Sequence, residues 1–304
     1  MLPLELVHST LSKVPAGILN ALAFTVHNYW VPLIVDDVPR GTGVLARVDG
    51  VSGILTAEHV IYKSGFDNSV QSTQILTLPL TQYAVTAPRE TTTATDSVRI
   101  PIKHLRWYPE NRSRDDYDGQ GEYGPDLALI QLPEAGSWIE TIESKKLFYN
   151  LTMGAERMEQ ALTDNGLLGV VGAPQRWIDM RGKVEGTELI RGIRSAVFLA
   201  GNQRYYEKDG FDFLEVIPDT PMPQDLPPSF RGVSGGGFFR FPRTKEIPAD
   251  SWVQESRPIL AGILYWESIR EDSAFLRGHG PRSIYVTFLG RLREWFRAQT
   301  RALP

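Results

Sequence analysis

A glycine-rich segment between prolines and aromatic residues is the strongest constraint on how this chain folds. It runs from Pro227 to Phe239, reads PPSFRGVSGGGFF, and places Ser234 between Gly232 and the Gly235–Gly236 pair. Glycine permits backbone angles closed to other residues and lets a substrate carbonyl come close to the main chain. A serine in this setting can act as a nucleophile, with the amides of Gly232 and Ser234 converging on one oxyanion. Such a turn alone is more often an ordinary tight loop, so its interpretation depends on the rest of the chain.

Two other segments supply the groups that a serine nucleophile needs. Val51–Leu55 has the length and composition of a buried strand and leads into Thr56-Ala57-Glu58-His59. Asp126 directly precedes a second strand-like run, Leu127–Ile130. A serine hydroxyl must lose its proton as it attacks. An imidazole, with an ordinary pKa of about 6.5, can take that proton, and a half-buried carboxylate can orient the imidazole.

The motifs TAEH, DLALI and GVSGG, in this order along the chain, resemble the motifs of the chymotrypsin-like (trypsin-like) serine peptidases, in their cysteine-free microbial form. The resemblance covers most of the chain. It implies an all-β fold of two antiparallel six-stranded β-barrels, with a short helical linker and a C-terminal helix. It also implies that Ser234 is the nucleophile, that His59 is the general base and that Asp126 holds the imidazole tautomer. Gly232 and Ser234 would then supply the oxyanion-hole amides.

The segment Gly262–Glu267, GILYWE, resembles the family's strand that lines the specificity pocket. Six residues before Ser234, where trypsins carry the acid that binds basic side chains, this chain has Pro228. Tryptic specificity therefore loses its main support. The residues expected to contact substrate are Pro228, Leu264, Tyr265, Trp266 and Glu267.

Val233 stands where zymogen-type trypsins carry an aspartate that pairs with a newly cut N-terminus. That ion pair cannot form with valine. The oxyanion loop is therefore either preformed or ordered by substrate, an assembly or an activating protein partner, and the sequence leaves these alternatives open.

The resemblance and the composition shifts along the chain predict five regions. Ala21–Asn28 is interpreted as a strand, and the apolar face of Phe288–Gln299 is expected to dock on the second barrel. The predicted regions are an N-terminal extension (1–18), a first barrel with His59 and Asp126 (19–135), a linker (136–165), a second barrel with Ser234 (166–285) and the helix (286–304).

Charge and composition exclude several classes of function. Lys and Arg number 32 against 36 Asp and Glu, so the net charge of −4 gives no general attraction to nucleic acid or anionic membranes. Apolar residues are dispersed rather than gathered in a run of about 18 that would span a membrane. Five scattered histidines predict no metal site, and the acidic loop Asn111–Tyr123 does not fit a calcium-loop register, so no cofactor is expected. The absence of cysteine and of a basic N-terminal leader predicts a cytoplasmic protein.

The sequence thus predicts a serine endopeptidase that cleaves protein or peptide substrates through an acyl-enzyme. Two alternatives stay open. One is a catalytically silent trypsin-like interaction module, which would have no chemical need for all three side chains together. The other is an esterase that uses the same triad.

Overall fold

The structure is a computed structural model. It describes residues 16–63, 69, 72–80, 96–109, 126–163, 166–175, 178–179, 183–184, 187–188, 192–193, 196–219, 230–242, 257–270 and 273–301. The strands form two predominantly antiparallel β-structures, and a C-terminal helix follows them. This confirms the predicted all-β class and is consistent with the chymotrypsin-like two-barrel fold. The acidic loop 111–123 lies outside the described residues.

The first β-structure is a curled sheet in which the first and last strands of the pairing order are consecutive in sequence. Its order is β5-β4-β1-β2-β3-β7-β6, and the two-residue β8 adds to β2 in parallel. Only residues 102–105 separate β5 from β6, so one bent stretch of chain pairs with both edges of the path. If β5 and β6 are counted as one bent strand, the sheet resembles the predicted six-stranded barrel. The strands are β1 (Trp30–Val35), β2 (Val38–Val48), β3 (Val51–Thr56), β4 (Ile75–Pro79), β5 (Ser97–Pro101), β6 (Arg106–Pro109), β7 (Ala128–Gln131) and β8 (Tyr149–Asn150).

The second β-structure contains a closed six-stranded barrel in the order β14-β15-β18-β17-β16-β9. The hairpin between β14 and β15 turns at Asp209-Gly210, both with positive φ, as a type I′ turn requires. Two short ribbons precede β14. The strands are β9 (Leu167–Gly172), β10 (Ile178–Asp179), β11 (Lys183–Val184), β12 (Thr187–Glu188), β13 (Gly192–Ile193), β14 (Ala196–Lys208), β15 (Phe211–Asp219), β16 (Gly237–Phe241), β17 (Ile259–Arg270) and β18 (Ser273–His279).

Short helices connect the two β-structures and follow the second. Among the described residues no helix is both long and apolar enough to cross a bilayer. A 3₁₀ turn covers Ile102–His104, and one π-helical segment, Ser283–Phe288, leads into the last helix. The α-helices are α1 (Ala16–His27), α2 (Glu58–Lys63), α3 (Trp138–Glu143), α4 (Leu151–Glu156), α5 (Met158–Thr163) and α6 (Leu289–Arg301).

Two sequence predictions about these helices are wrong. Ala21–Asn28 belongs mostly to α1 rather than to a strand. Leu22 and Val26 are buried while Phe24 between them is 54% exposed, which follows the helical period and not the alternation of a strand. Helix α6 docks on the first sheet rather than on the second barrel. The ring of Trp295 stacks on Tyr108 of β6 at 5.4 Å because the chain crosses back after β18.

A closed ring of hydrogen bonds joins the two β-structures behind the site. The Leu260 amide of β17 donates to the Tyr149 hydroxyl at 3.1 Å, and the Tyr285 hydroxyl donates to the Leu260 carbonyl at 2.8 Å. The two hydroxyls lie 3.1 Å apart, and all three residues are buried. With each polar group satisfied, this ring fixes β8 and the start of the C-terminal helical segment against β17.

Candidate active site

His59 lies just beyond the end of a buried strand. Strand β3 ends at Thr56, and α2 begins two residues later, so His59 is the second residue of that helix. Its backbone amide donates to Asp126 Oδ1 at 2.8 Å. The carboxylate therefore satisfies one of the amides that a helix leaves free at its N-terminus, and it fixes the backbone that carries the imidazole.

The pairing of β3 with β7 brings Asp126 to His59 across 67 positions of sequence. Thr56 pairs with Ala128 in an antiparallel register, so the segment that follows β3 meets the segment that precedes β7. The other carboxylate oxygen, Asp126 Oδ2, lies 2.7 Å from His59 Nδ1. An ionised carboxylate only accepts hydrogen bonds, so Nδ1 carries the proton and Nε2 is left with its lone pair.

Burial and the imidazole act in opposite directions on Asp126. The side chains of His59 and Asp126 are 12% and 8% exposed. Burial alone would raise the pKa of Asp126, but the charge of His59 and its side-chain and backbone hydrogen bonds hold that pKa below its ordinary value. The carboxylate therefore stays ionised at neutral pH, as an orienting group for an imidazole must.

His279 of the second barrel accepts a hydrogen bond from Asp126, a contact that the sequence motifs did not predict. The Asp126 amide donates to His279 Nε2 at 3.0 Å, so this ring nitrogen acts as the acceptor of the bond. His279 is fully buried, and its ring stacks on Tyr265 with centroids 4.8 Å apart. The signal in the sequence is a histidine between two glycines, Gly278 and Gly280, at the end of an apolar strand.

The segment before Ser234 forms a turn whose central peptide has a defined orientation. The Val233 amide donates to the Phe230 carbonyl at 2.9 Å, and Gly232 has a φ of +99°, which makes residues 230–233 a type II turn. The Arg231 carbonyl accepts from the Gln175 amide at 2.7 Å. In a trans peptide the N–H points away from the C=O, so the Gly232 amide points away from Gln175.

The glycines after Ser234 bind the neighbouring strand. The Gly235 amide donates to the Leu264 carbonyl at 2.6 Å, and the Leu264 amide donates to the Gly236 carbonyl at 2.8 Å. Gly235 has a φ of +87°, and a Cβ built there would lie 1.9 Å from the Thr42 carbonyl oxygen. Only glycine fits this position. Within the described ranges, the amides of Gly232 and Ser234 donate to no protein acceptor.

The serine loop and the histidine helix meet across Gly41 of β2. A Cβ at Gly41 would lie 3.0 Å from the Ser234 carbonyl oxygen and 2.7 Å from a methyl group of Val60, the neighbour of His59. The Ser234 residue is half-buried. Among the described residues, no hydrogen bond joins its hydroxyl to His59. Nucleophile–base contacts are often loose without substrate. The catalytic roles of Ser234 and His59 stay predictions.

The residues predicted to bind substrate differ in how accessible they are. Leu264 and Tyr265 are buried, so only their main chain can meet a ligand. Trp266 and Glu267 are half-buried, and the guanidinium of Arg277 lies 4.7 Å from the Trp266 ring centroid. Pro228 lies outside the described residues. Their role in substrate binding stays a prediction.

No family model matches the chain, and no curated protein matches it. Similar solved structures include human heparin binding protein, with 12% identity, a TM-score of 0.46, and coverage of 92% of this chain and 95% of that chain. The HtrA-type protease AlgW with a tripeptide has 11% identity and a TM-score of 0.40, with coverage of 89% of this chain and 61% of that chain. A chain from work on coupled folding and binding of the Sesbania mosaic virus VPg protein has 13% identity, a TM-score of 0.39, and coverage of 86% and 90%. All three TM-scores lie below 0.5, a level at which a likeness carries no argument about function.

Proposed function

We propose that this protein is a serine endopeptidase that hydrolyses peptide bonds of protein substrates through Ser234, His59 and Asp126. The observation that carries the proposal is the 2.7 Å contact between His59 Nδ1 and the buried Asp126 carboxylate. This contact places the proton on Nδ1, so that Nε2 can accept a proton from the nucleophile, and Gly41 lets the histidine helix and the serine loop approach each other.

In the first half of the reaction, the Ser234 hydroxyl oxygen bonds to the substrate carbonyl carbon while its proton passes to His59 Nε2. The carbonyl oxygen becomes an oxyanion, to which the amides of Gly232 and Ser234 donate. One such donor contributes about 3 to 4 kcal/mol to a typical barrier reduction. The C–N bond then breaks, the leaving amine takes the proton from His59, and an ester to Ser234 remains.

In the second half, water attacks the ester carbonyl and gives a proton to His59 Nε2. The second oxyanion collapses, the C–O bond to Ser234 breaks, and the serine oxygen recovers the proton. Asp126 keeps its charge throughout and stabilises the imidazolium that forms in each half. No net oxidant, reductant or cofactor is needed for this sequence of steps.

Hydrolysis of a peptide library by the purified protein tests the proposal. We expect Ser234→Ala to lower kcat by roughly 10⁶, because the three side chains act as a unit. Ser72→Ala is the control, since it removes the hydroxyl of a buried serine that has no role in the proposed mechanism. Proteolysis by Ser234→Ala close to the wild-type rate would contradict the proposal.

Simple esters separate the proposal from its two alternatives. Hydrolysis of esters but not peptides would favour an esterase that uses the same residues. Binding of peptides without cleavage of either substrate class would favour a catalytically silent interaction module.

A further inference from the structure

Thr42 of β2 makes a hydrogen bond with each of its polar groups, and two of these bonds reach the serine loop. Its amide donates to the Ser234 carbonyl at 2.8 Å, and its hydroxyl donates to the Gly232 carbonyl at 2.9 Å. The same hydroxyl accepts from the Ala173 amide at 3.0 Å, and its carbonyl accepts from the Thr56 hydroxyl at 2.7 Å. The residue is fully buried.

These bonds fix the carbonyls of the two residues whose amides are proposed to bind the oxyanion. Gly232 is held by the Thr42 hydroxyl and Ser234 by the Thr42 amide, while the Arg231 carbonyl is held by Gln175. The peptide that carries the Ser234 amide is held at the Val233 carbonyl, which accepts from the Gly236 amide at 2.7 Å. No peptide from Arg231 to Gly235 can therefore rotate without breaking a hydrogen bond of its carbonyl. A carbonyl that loses its hydrogen bond inside the protein destabilises the fold, whereas in a solvent-exposed turn water would replace the lost donor.

No charged side chain stands at the centre of the loop, where Val233 lies between Gly232 and Ser234. Val233, in the middle of the loop, is only 3% exposed and packs in an apolar cluster with Phe230. A Cβ built at Gly172 would lie 2.8 Å from the Cβ of Val233, so strand β9 also packs closely against Val233. Apolar packing of this kind favours burial but does not select one peptide orientation over the flipped one.

We propose that Thr42 is a positioning residue: its hydroxyl, supplied by the first sheet, holds the Gly232–Ser234 segment in the orientation that binds an oxyanion, without a cleavage-dependent ion pair. The catalytic consequence rests on the proposed peptidase function. The structural consequence, a type II turn at 230–233 that depends on the Thr42 hydroxyl, does not.

The test compares Thr42→Val, which replaces the hydroxyl with a methyl group, and Thr42→Ser, which keeps it. Amide hydrogen exchange at Val233 and Gln175 reports the turn, because both amides donate to its carbonyls. We expect exchange at both to rise roughly 10- to 100-fold in Thr42→Val and to stay within a few-fold of wild type in Thr42→Ser. The Tyr205 amide in the β14–β15 hairpin is the internal reference and should not change.

Thr77→Val is the matched control variant. Thr77 is a buried threonine of the same sheet, and within the described ranges its hydroxyl makes no hydrogen bond. Should Thr42→Val fail to fold, Thr42→Ser and Thr42→Ala give the same comparison, since both lack the methyl group and only serine keeps the hydroxyl. Unchanged exchange at Val233 and Gln175 in the hydroxyl-free variant overturns the proposal.

Peptide hydrolysis by the same variants separates this proposal from the proposed function. We expect kcat to fall roughly 10- to 100-fold in Thr42→Val with KM little changed, because the hydroxyl acts on the oxyanion site rather than on substrate. Faster exchange with an unchanged kcat would refute the catalytic role of Thr42. If the wild-type protein hydrolyses nothing, the peptidase proposal fails, while the exchange data still decide whether Thr42 holds the turn.

Discussion

The His59–Asp126 pair and the Ser234 loop are held in place by different kinds of contact. The pair is joined by hydrogen bonds of 2.7 Å from the His59 ring and 2.8 Å from the His59 backbone amide to the Asp126 carboxylate, near the ends of two paired strands of one sheet. The loop is held by main-chain bonds to Gln175 and Leu264 of the second β-structure and by Thr42 of the first sheet. The contact between the imidazole and the carboxylate thus lies within one sheet, whereas the loop is held by residues of both β-structures.

This difference predicts different responses to substitution. A change in the pair should remove chemistry and leave the fold nearly intact, because the strands that carry it are paired independently of the carboxylate. A change in the loop should cost stability and chemistry together, because the same contacts hold the loop and join the two β-structures.

The largest effect is expected from Asp126→Asn. The amide keeps the size of the side chain but favours the wrong imidazole tautomer, and such a change lowers kcat by about 10⁴ in a Ser-His-Asp site. Peptide hydrolysis at pH 7 and thermal unfolding measure the two responses. Asp209→Asn is the control, since asparagine tolerates the positive φ of that turn. A kcat within tenfold of wild type would show that the carboxylate does not orient the base.

Gly235→Ala tests the loop. Gly235 and Gly210 have φ values of +87° and +83°, but a Cβ at Gly235 would lie 2.1 Å from the Thr56 hydroxyl, while one at Gly210 would meet nothing within 4 Å. We expect Gly210→Ala to lower the free energy of unfolding by about 1 to 2 kcal/mol and Gly235→Ala by about 3 kcal/mol or more. Chemical denaturation measures both. Equal losses would mean that the loop is not tightly packed against β2 and β3.

His279 connects the two regions, and we expect its substitution to have a smaller effect. In His279→Phe the buried Asp126 amide loses its acceptor, which should cost about 1 to 3 kcal/mol of stability and lower kcat without raising KM. In His279→Gln the side-chain oxygen can replace Nε2 as the acceptor and should recover much of both losses. Equal kcat values for the two variants would contradict a positioning role for the acceptor nitrogen.

The smallest effect is the acid dependence of stability. The folded-state pKa of Asp126 lies below its ordinary value of 3.8 because the charge and hydrogen bonds of His59 outweigh burial. The ionised form therefore contributes stability above that value, and this contribution is lost as pH falls through the folded-state pKa. Urea unfolding at pH 7 and pH 3 should show a larger loss of stability for the wild type than for Asp126→Asn. Parallel losses would mean that the pair adds no stability.

The proximity of His59 and Asp126 follows from local patterns in the sequence. The Val51–Leu55 and Leu127–Ile130 runs each form a buried strand with the functional residue at one end. The antiparallel pairing of two such strands brings those ends together. The fold class and two short sequence motifs therefore predict that His59 and Asp126 lie close together.

The supports of the site could not be predicted in the same way. Thr42 and Gly232 are 190 positions apart, and His279 lies 153 positions from Asp126. Their contacts depend on how the two β-structures dock, which no local pattern encodes. Helix α6 was placed on the wrong β-structure for the same reason, since its apolar face is equally compatible with either.

Labelling of the purified protein with a fluorophosphonate probe tests directly whether Ser234 is a nucleophile, because the probe requires an activated serine and a formed oxyanion site. Mass spectrometry of the labelled protein identifies the modified residue, with Ser234→Ala and His59→Ala as controls. We expect modification of Ser234 in the wild type, none in Ser234→Ala and much slower labelling in His59→Ala. Absence of labelling in the wild type, or equal labelling of Ser234→Ala, would contradict this expectation.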